Sequence, residues 1–130
     1  MQIPDDLHYT REHEWLRVDG AEGVIGVTDF AQDSLGDVVF VELPPLGTVL
    51  RQGDPFGVVE SNKTVSDLFA PVSGRVVAVN EALRDRPEAV NQEPYGAGWI
   101  VRIAVDDASE LENLLDPAAY REHLAREQSR

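Results

Sequence analysis

Glycine and proline interrupt this chain at short intervals, a spacing that leaves room for strands but for few long helices. The 130 residues include 10 Gly and 8 Pro. The segments between them hold short apolar runs, such as residues 38–41, 56–59 and 76–79. Such runs, bounded by turn formers, are typical of buried strands. A chain of this length suits one folded unit, so we expect a single mainly β domain over residues 1–130.

The positions of the turn formers predict where the strands lie. In chain order, the predicted strands cover residues 9–18, 24–27, 38–41, 48–50, 56–59, 65–69, 76–80 and 99–105. Asp19 and Gly20 give the turn of the first hairpin. The compact run at 38–41 is predicted to be a buried strand.

Helical signals are short until the end of the chain. Thr28 or Asp29 can begin a helix that ends at Gly36, and residues 81–86 fit one helical turn. Residues 91–98 are rich in loop formers.

A C-terminal helical segment is expected at about residues 109–128. Asp116 is a suitable N-cap, and Pro117 suits the first helical position that follows it. The apolar stripe of this helix is formed by Ala119, Tyr120 and Leu124.

The strands on the two sides of Lys63 are arranged symmetrically. Strand, turn and strand precede this residue and also follow it, with Gly53 and Gly74 at similar distances from it. The layout predicts a central lysine hairpin at about residues 56–70, where two similar sheet halves meet.

Charge and composition exclude several classes of function. The chain has 24 Asp and Glu against 11 Lys and Arg, a formal net charge of -13. This balance argues against nucleic-acid and anionic membrane partners, which both require basic patches. With no cysteine, the polypeptide itself has no disulfide, thiolate or dithiol redox chemistry. Residues 1–6 resemble neither a signal peptide nor a transit peptide, so we expect a cytoplasmic protein.

The common catalytic and metal-binding motifs are missing from the sequence. It contains no phosphate-binding glycine loop and no dinucleotide fingerprint. The three histidines, His8, His13 and His123, do not form a metal-binding motif, so no metal site is predicted. The sequence therefore gives no positive sign of an enzyme.

Lys63 is the only lysine among the 11 basic residues. An amine can be acylated, whereas a guanidinium stays charged and is a poor nucleophile. If residues 58–59 pair with 65–69, Glu60 falls opposite Asp67, and Lys63 and Thr64 occupy the hairpin tip. Two facing carboxylates beside the only lysine suit a tip marked for a modifying enzyme. An ordinary solvated loop is an equally good interpretation of this pattern.

Four ordered blocks of the sequence resemble one known family, that of the glycine cleavage system H proteins. The central block is Glu-Ser-Asn-Lys-Thr-Val-Ser-Asp at residues 60–67, followed by Ala-Pro-Val-Ser-Gly at 70–74. The others are His-Glu-Trp at 13–15, the segment 26–44, and the segment 91–99 that ends in Gly-Trp. The resemblance extends over almost the whole chain.

The resemblance implies a fold, a cofactor and a set of site residues. The fold is a barrel-sandwich hybrid of the lipoyl/biotinyl type, with short helices and a C-terminal helix. The implied cofactor is (R)-lipoate, attached by an amide to Lys63. Glu60 and Asp67 would mark the lysine hairpin for modification. Glu14 and Asp67 would line the cleft that receives the aminomethyl-loaded arm.

The resemblance also implies a function and several partners. The protein would be a carrier rather than an enzyme, serving glycine decarboxylase (P protein), aminomethyltransferase (T protein) and dihydrolipoamide dehydrogenase (L protein). A lipoate ligase or octanoyl transferase would modify it. Two alternatives remain open: a related protein that relays lipoyl groups to other complexes, and an interaction domain whose lysine is never acylated.

Overall fold

Two antiparallel sheets form the framework of the protein in the computed structural model, which describes residues 1–128. The strands are β1 His8–Tyr9, β2 Glu14–Asp19, β3 Glu22–Val27, β4 Val38–Glu42, β5 Val49–Leu50, β6 Pro55–Ser61, β7 Val65–Phe69, β8 Gly74–Val79 and β9 Val101–Val105. The larger sheet has the order β1-β2-β3-β9-β8-β5, and the smaller has the order β4-β6-β7.

Four short α-helices and one 3-10 helix connect or cover the sheets. They are α1 Asp29–Leu35, α2 Ala82–Asp85, α3 Ala89–Gln92, α4 Pro117–Gln128 and the 3-10 helix Ala108–Asn113. Within residues 1–128, none of the helices has the length and hydrophobicity needed to cross a membrane. The predicted architecture, mainly β with short helices and a C-terminal helix, is confirmed.

The main core lies between the two sheets. Leu16 and Ile25 from the larger sheet share one buried cluster with Val41, Val59 and Leu68 from the smaller sheet. β6 and β7 of the smaller sheet bury some residues in this core and leave others exposed, whereas β3 of the larger sheet is buried along almost its whole length. The packing of the two sheets thereby holds the β6–β7 hairpin in place.

The predicted symmetry about Lys63 is wrong in detail. The sheets have six and three strands, and the lysine hairpin lies wholly within the smaller one. The inequality arises because β3 pairs with β9, with Ile25 opposite Val101, and so adds the N-terminal hairpin to one sheet only. That pairing joins residues distant in sequence.

The prediction of a buried strand at residues 38–41 is also only half correct. Val38 and Val41 are buried, but Val39 is 51% exposed and Phe40 is 53% exposed. β4 is an edge strand of the smaller sheet, and its pairing with β6 is irregular between Val38 and Phe40. One face of the strand therefore meets solvent.

The C-terminal helical segment is interrupted rather than continuous. Leu115 pairs with Tyr9 as an isolated bridge between the 3-10 helix and α4. α4 then begins as predicted, because the Asp116 carboxylate accepts a hydrogen bond from the Ala119 N–H at 2.8 Å. Tyr120 is buried and stacks on the Tyr9 ring, with ring centroids 4.5 Å apart.

The predicted loop at residues 91–98 and the predicted last strand at 99–105 need small corrections. The segment predicted as loop at 91–98 begins inside α3, and the last strand starts at Val101 rather than at Trp99. Short helices of four residues carry too little periodic signal to be recognised in sequence.

We expect Gly74→Ala to destabilise the fold. A methyl group at this position in β8 would collide with the backbone carbonyl of Ala104 in β9. Overpacking of this kind costs about 1–3 kcal/mol in the free energy of unfolding. Gly96→Ala is the control, because its methyl group would meet only ordinary contacts. Urea unfolding of both variants tests this, and equal stabilities would contradict it.

Candidate functional site

Lys63 lies in the turn between β6 and β7. The Ser61 N–H donates a hydrogen bond to the Thr64 carbonyl at 2.8 Å. The Ser61 hydroxyl oxygen also accepts from the backbone N–H groups of Lys63, at 3.3 Å, and Thr64, at 3.1 Å. This closure leaves Asn62 and Lys63 as the two residues of the hairpin tip, and both are exposed.

The predicted strand register around the tip is wrong. Glu60 pairs with Val65, and Asp67 pairs with Val58, so the two carboxylates do not face each other. The Ser61–Thr64 closure shifts the pairing by two residues and puts Asn62 and Lys63, rather than Lys63 and Thr64, at the tip. The two residues are diagonal neighbours on the outer face of the sheet, a relation that typically separates residues by about 7–8 Å.

The tip is anchored to the segment that follows α1. The Asn62 N–H donates to the Asp37 carbonyl at 3.1 Å. Asn91 of α3 supports the same segment, because its side-chain oxygen accepts from the Val38 N–H at 2.9 Å. Its amide nitrogen donates to the Gly36 carbonyl at 2.8 Å. The base of the hairpin tip is therefore held by hydrogen bonds from three parts of the chain.

Gly36 gives the Lys63 side chain room to lie across the end of α1. Its φ is 77°, in the left-handed region that favours glycine. A Cβ atom at this position would lie 3.2 Å from the Lys63 Cε atom. From sequence, Gly36 was predicted only as a helix stop and Asn91 only as part of a loop. Local patterns of this kind do not indicate which distant residue a side chain contacts.

A cleft of about 250 Å³ runs between α1 and β7. Thr64 lines it beside the tip, Val59 and Phe30 contribute apolar surface, and Glu14 also lines it. Phe69 at the end of β7 donates its N–H to the Glu14 carboxylate at 3.2 Å. Since a strand rises about 3.3 Å per residue, the Glu14 end of the cleft is roughly 13 Å from Val65.

Glu14 is a buried carboxyl group with defined partners. It is 2% exposed, and its second carboxylate oxygen accepts from the Thr10 hydroxyl at 2.6 Å. Burial raises the pKa of Glu14 to about 7, although the hydrogen bonds from Thr10 and Phe69 oppose that rise. Near neutral pH the group can therefore gain or lose a proton, or pair with a cation.

The predicted site residues separate into two sets. Asp67 and Glu14 both line the α1–β7 cleft, and Lys63 precedes Thr64, which also lines it. Glu60 is exposed and shares a face of the hairpin with Asp67, but it is not part of the cleft lining. The structure thus brings Glu14 and Asp67 to one cleft and places Lys63 beside it.

Fold and site together define a class of protein. A two-sheet framework holds an exposed lysine at a hairpin tip, beside a cleft with room for a flexible attached group. This is the architecture of a carrier domain, in which the chain presents a covalently attached group to other proteins.

Comparisons with known proteins identify the family within this class. The family model for the glycine cleavage H-protein matches residues 7–127. The glycine cleavage system H protein of Symbiobacterium thermophilum is 59% identical over 118 residues, which cover 91% of this chain and 92% of that protein. The probable glycine cleavage system H protein of Haloarcula marismortui is 58% identical over 122 residues, covering 94% and 96%.

A solved structure agrees with the sequence comparisons. The crystal structure of a glycine cleavage system H protein from Mycobacterium marinum has a TM-score of 0.81 at 40% identity. The match covers 97% of this chain and 99% of that chain. The chain belongs to the glycine cleavage H-protein family, whose members are non-catalytic lipoyl carriers.

We expect Glu14→Gln to remove a pH dependence of stability. Between pH 4.5 and 7 the folded wild type holds a proton on Glu14 that the unfolded chain has released, so its stability falls as pH rises. The variant should therefore gain up to about 3 kcal/mol relative to wild type between pH 4.5 and 8.

Denaturant unfolding at several pH values measures this difference. The matched control is Glu112→Gln, which changes an exposed carboxylate outside the cleft and should follow the wild type. If the free energy of unfolding of Glu14→Gln changes with pH as that of the wild type does, Glu14 is not the group with the raised pKa.

Proposed function

We propose that this protein carries a lipoyl group in amide linkage to Lys63 and moves the aminomethyl group of glycine between the enzymes of the glycine cleavage system. The observation that carries the proposal is the placement of its only lysine at an exposed hairpin tip, next to Thr64, which lines a cleft that contains Glu14. The whole chain would act as one carrier unit.

The chemistry of the chain suits an attached lipoyl group. Lipoate supplies a dithiolane, which carries both a one-carbon amine group and electrons, and a chain without cysteine has no such group of its own. Lys63 is exposed, so a large modifying enzyme can reach its amine. Lipoate ligase or octanoyl transferase would be that enzyme.

The residues of the cleft would hold the loaded arm. The apolar surfaces of Val59 and Phe30 would exclude water from it. Glu14 and Asp67 would accept charge-assisted hydrogen bonds from the protonated amine. Because burial disfavours the ionised form of Glu14, a cationic amine is a suitable partner for its carboxylate.

Three partners follow from this role. The P protein would load the aminomethyl group, the T protein would remove it, and the L protein would accept the electrons. Membership of the family supports a place in this system. The formal charge of -13 favours rapid, electrostatically steered encounters with them rather than tight complexes. A cytoplasmic location remains a prediction.

We expect a single lipoyl increment on Lys63. Purified protein is incubated with lipoate, ATP and a lipoate ligase, and its intact mass is measured. The wild type should gain one lipoyl mass, whereas Lys63→Arg should gain none, because a guanidinium is not acylated under these conditions.

A known H protein in the same reaction serves as the positive control. If it is modified and this protein is not, the unmodified interaction domain becomes the better interpretation. If Lys63 is modified but the modified protein then supports no exchange of glycine carbon with a P protein, a lipoyl relay is the better interpretation.

We expect Glu60→Gln to slow the modification of Lys63 without abolishing it. Glu60 presents its charge on the outer face of the hairpin, where a modifying enzyme approaches. Loss of one exposed charge contact of roughly 0.5–1 kcal/mol corresponds to a rate about threefold lower. Glu112→Gln, another exposed carboxylate, is the matched control. Equal rates of lipoylation for the two variants would exclude a recognition role for Glu60.

A further inference from the structure

Two histidines and a glutamate that are distant in sequence converge beside α4. The nearest potential ligand atoms of His13, His123 and Glu127 all lie within 4.8 Å of one another. One Glu127 oxygen is 3.0 Å from His13 Nε2, and the other is 2.9 Å from His123 Nε2. A single carboxylate thus lies between two imidazoles.

The backbone sets up this convergence from both sides. His13 has a φ of 73°, which is uncommon for a residue other than glycine. Hydrogen bonds hold it in this conformation, because its N–H donates to the Thr10 carbonyl and its own carbonyl accepts from the Thr28 N–H. On α4, His123 and Glu127 are four residues apart and therefore lie on one face of the helix.

The three groups match the ligand preferences of zinc. Zn²⁺ binds imidazole nitrogen at about 2.0–2.1 Å and carboxylate oxygen at about 2.0–2.2 Å, commonly in tetrahedral geometry. Two such ligand atoms then lie roughly 3.3 Å apart. The nitrogen–oxygen separations of 2.9 and 3.0 Å, which involve different Glu127 oxygens, would need to open by a few tenths of an ångström. The remaining ligand separations, all within 4.8 Å, would need to close by up to roughly 1.5 Å.

A hydrogen-bond chain orients the His13 ring. Its Nδ1 atom is 2.9 Å from the Tyr120 hydroxyl, which is 2.7 Å from the Thr28 hydroxyl. When Nε2 binds a metal, the ring proton is on Nδ1, and this N–H can donate a hydrogen bond to the Tyr120 hydroxyl. Metal-bound histidines usually have a partner of this kind at the other ring nitrogen.

We propose that His13, His123 and Glu127 form a binding site for one divalent transition-metal ion of the zinc type. The three residues supply three ligands and leave a fourth position for water, on the side of a cavity that Arg11, Glu12 and Arg126 also line. A bound ion would tie the end of α4 to the segment that leads into β2. His13 also lines the α1–β7 cleft, so the two sites are neighbours, but metal binding here requires no lipoyl group on Lys63.

The experiment uses tag-free, full-length protein that has been treated with EDTA. Zn²⁺ affinity is measured by competition with a chromophoric chelator, and Co²⁺ binding is followed by its visible absorption. We expect one equivalent of Zn²⁺ and a Co²⁺ spectrum typical of a four-coordinate site. His123→Ala and Glu127→Gln should each weaken Zn²⁺ binding by more than about tenfold. Removing a residue that only hydrogen-bonds to a metal ligand already costs about tenfold or more in affinity, and these two residues are ligands themselves.

His8→Ala is the matched control, because His8 lies in β1 and is not part of the cluster. It should bind Zn²⁺ as the wild type does. Metal-free thermal unfolding checks that each variant is folded, and Zn²⁺ should raise the Tm of the wild type but not that of Glu127→Gln.

Two results would overturn the proposal. One is the absence of saturable Zn²⁺ binding by the wild type at Zn²⁺ concentrations up to about 0.1 mM. The other is Zn²⁺ binding by His123→Ala and Glu127→Gln that equals that of the wild type and His8→Ala.

Discussion

The closure of the β6–β7 turn by Ser61 is the interaction on which the lysine site depends. One hydroxyl oxygen accepts from two backbone N–H groups, and the Ser61 N–H bonds the Thr64 carbonyl, so the tip has a defined shape. Asp37 and Asn91 then fasten this turn to the end of α1. A long and mobile side chain thereby starts from a fixed point, which a carrier needs if several partners are to find the attached group.

The cleft beside the tip shows how the chain can support chemistry that it does not perform. Burying Glu14 disfavours its ionised form, and hydrogen bonds from Thr10 and Phe69 offset part of that cost. The result is a carboxyl group close to its titration point at neutral pH and ready for a cationic partner. The polypeptide provides position, shielding and charge, while the reactive group must come from elsewhere.

Local patterns predicted the secondary structure well where the signal lies within a few residues. The cap at Thr28, the stop at Gly36 and the start of α4 after Asp116 all depend on neighbouring atoms. The errors have a different origin. The exposure of Phe40 and the bridge from Leu115 to Tyr9 depend on which distant strand lies alongside. The register of Glu60 depends on the side-chain hydrogen bonds that close the turn at Ser61.

The sequence by itself determined that this is an acidic, cysteine-free, mainly β protein with one acylatable amine at a hairpin tip, since these properties follow from composition and short-range pattern. Family resemblance in ordered motifs identified its role as a carrier. The resemblance also implied a cleft position for Glu14, but only the tertiary structure defined its hydrogen-bond partners and assembled His13, His123 and Glu127 into one cluster. Strand pairing and helix docking decide such contacts. They bring together residues whose distance along the chain does not predict their distance in space.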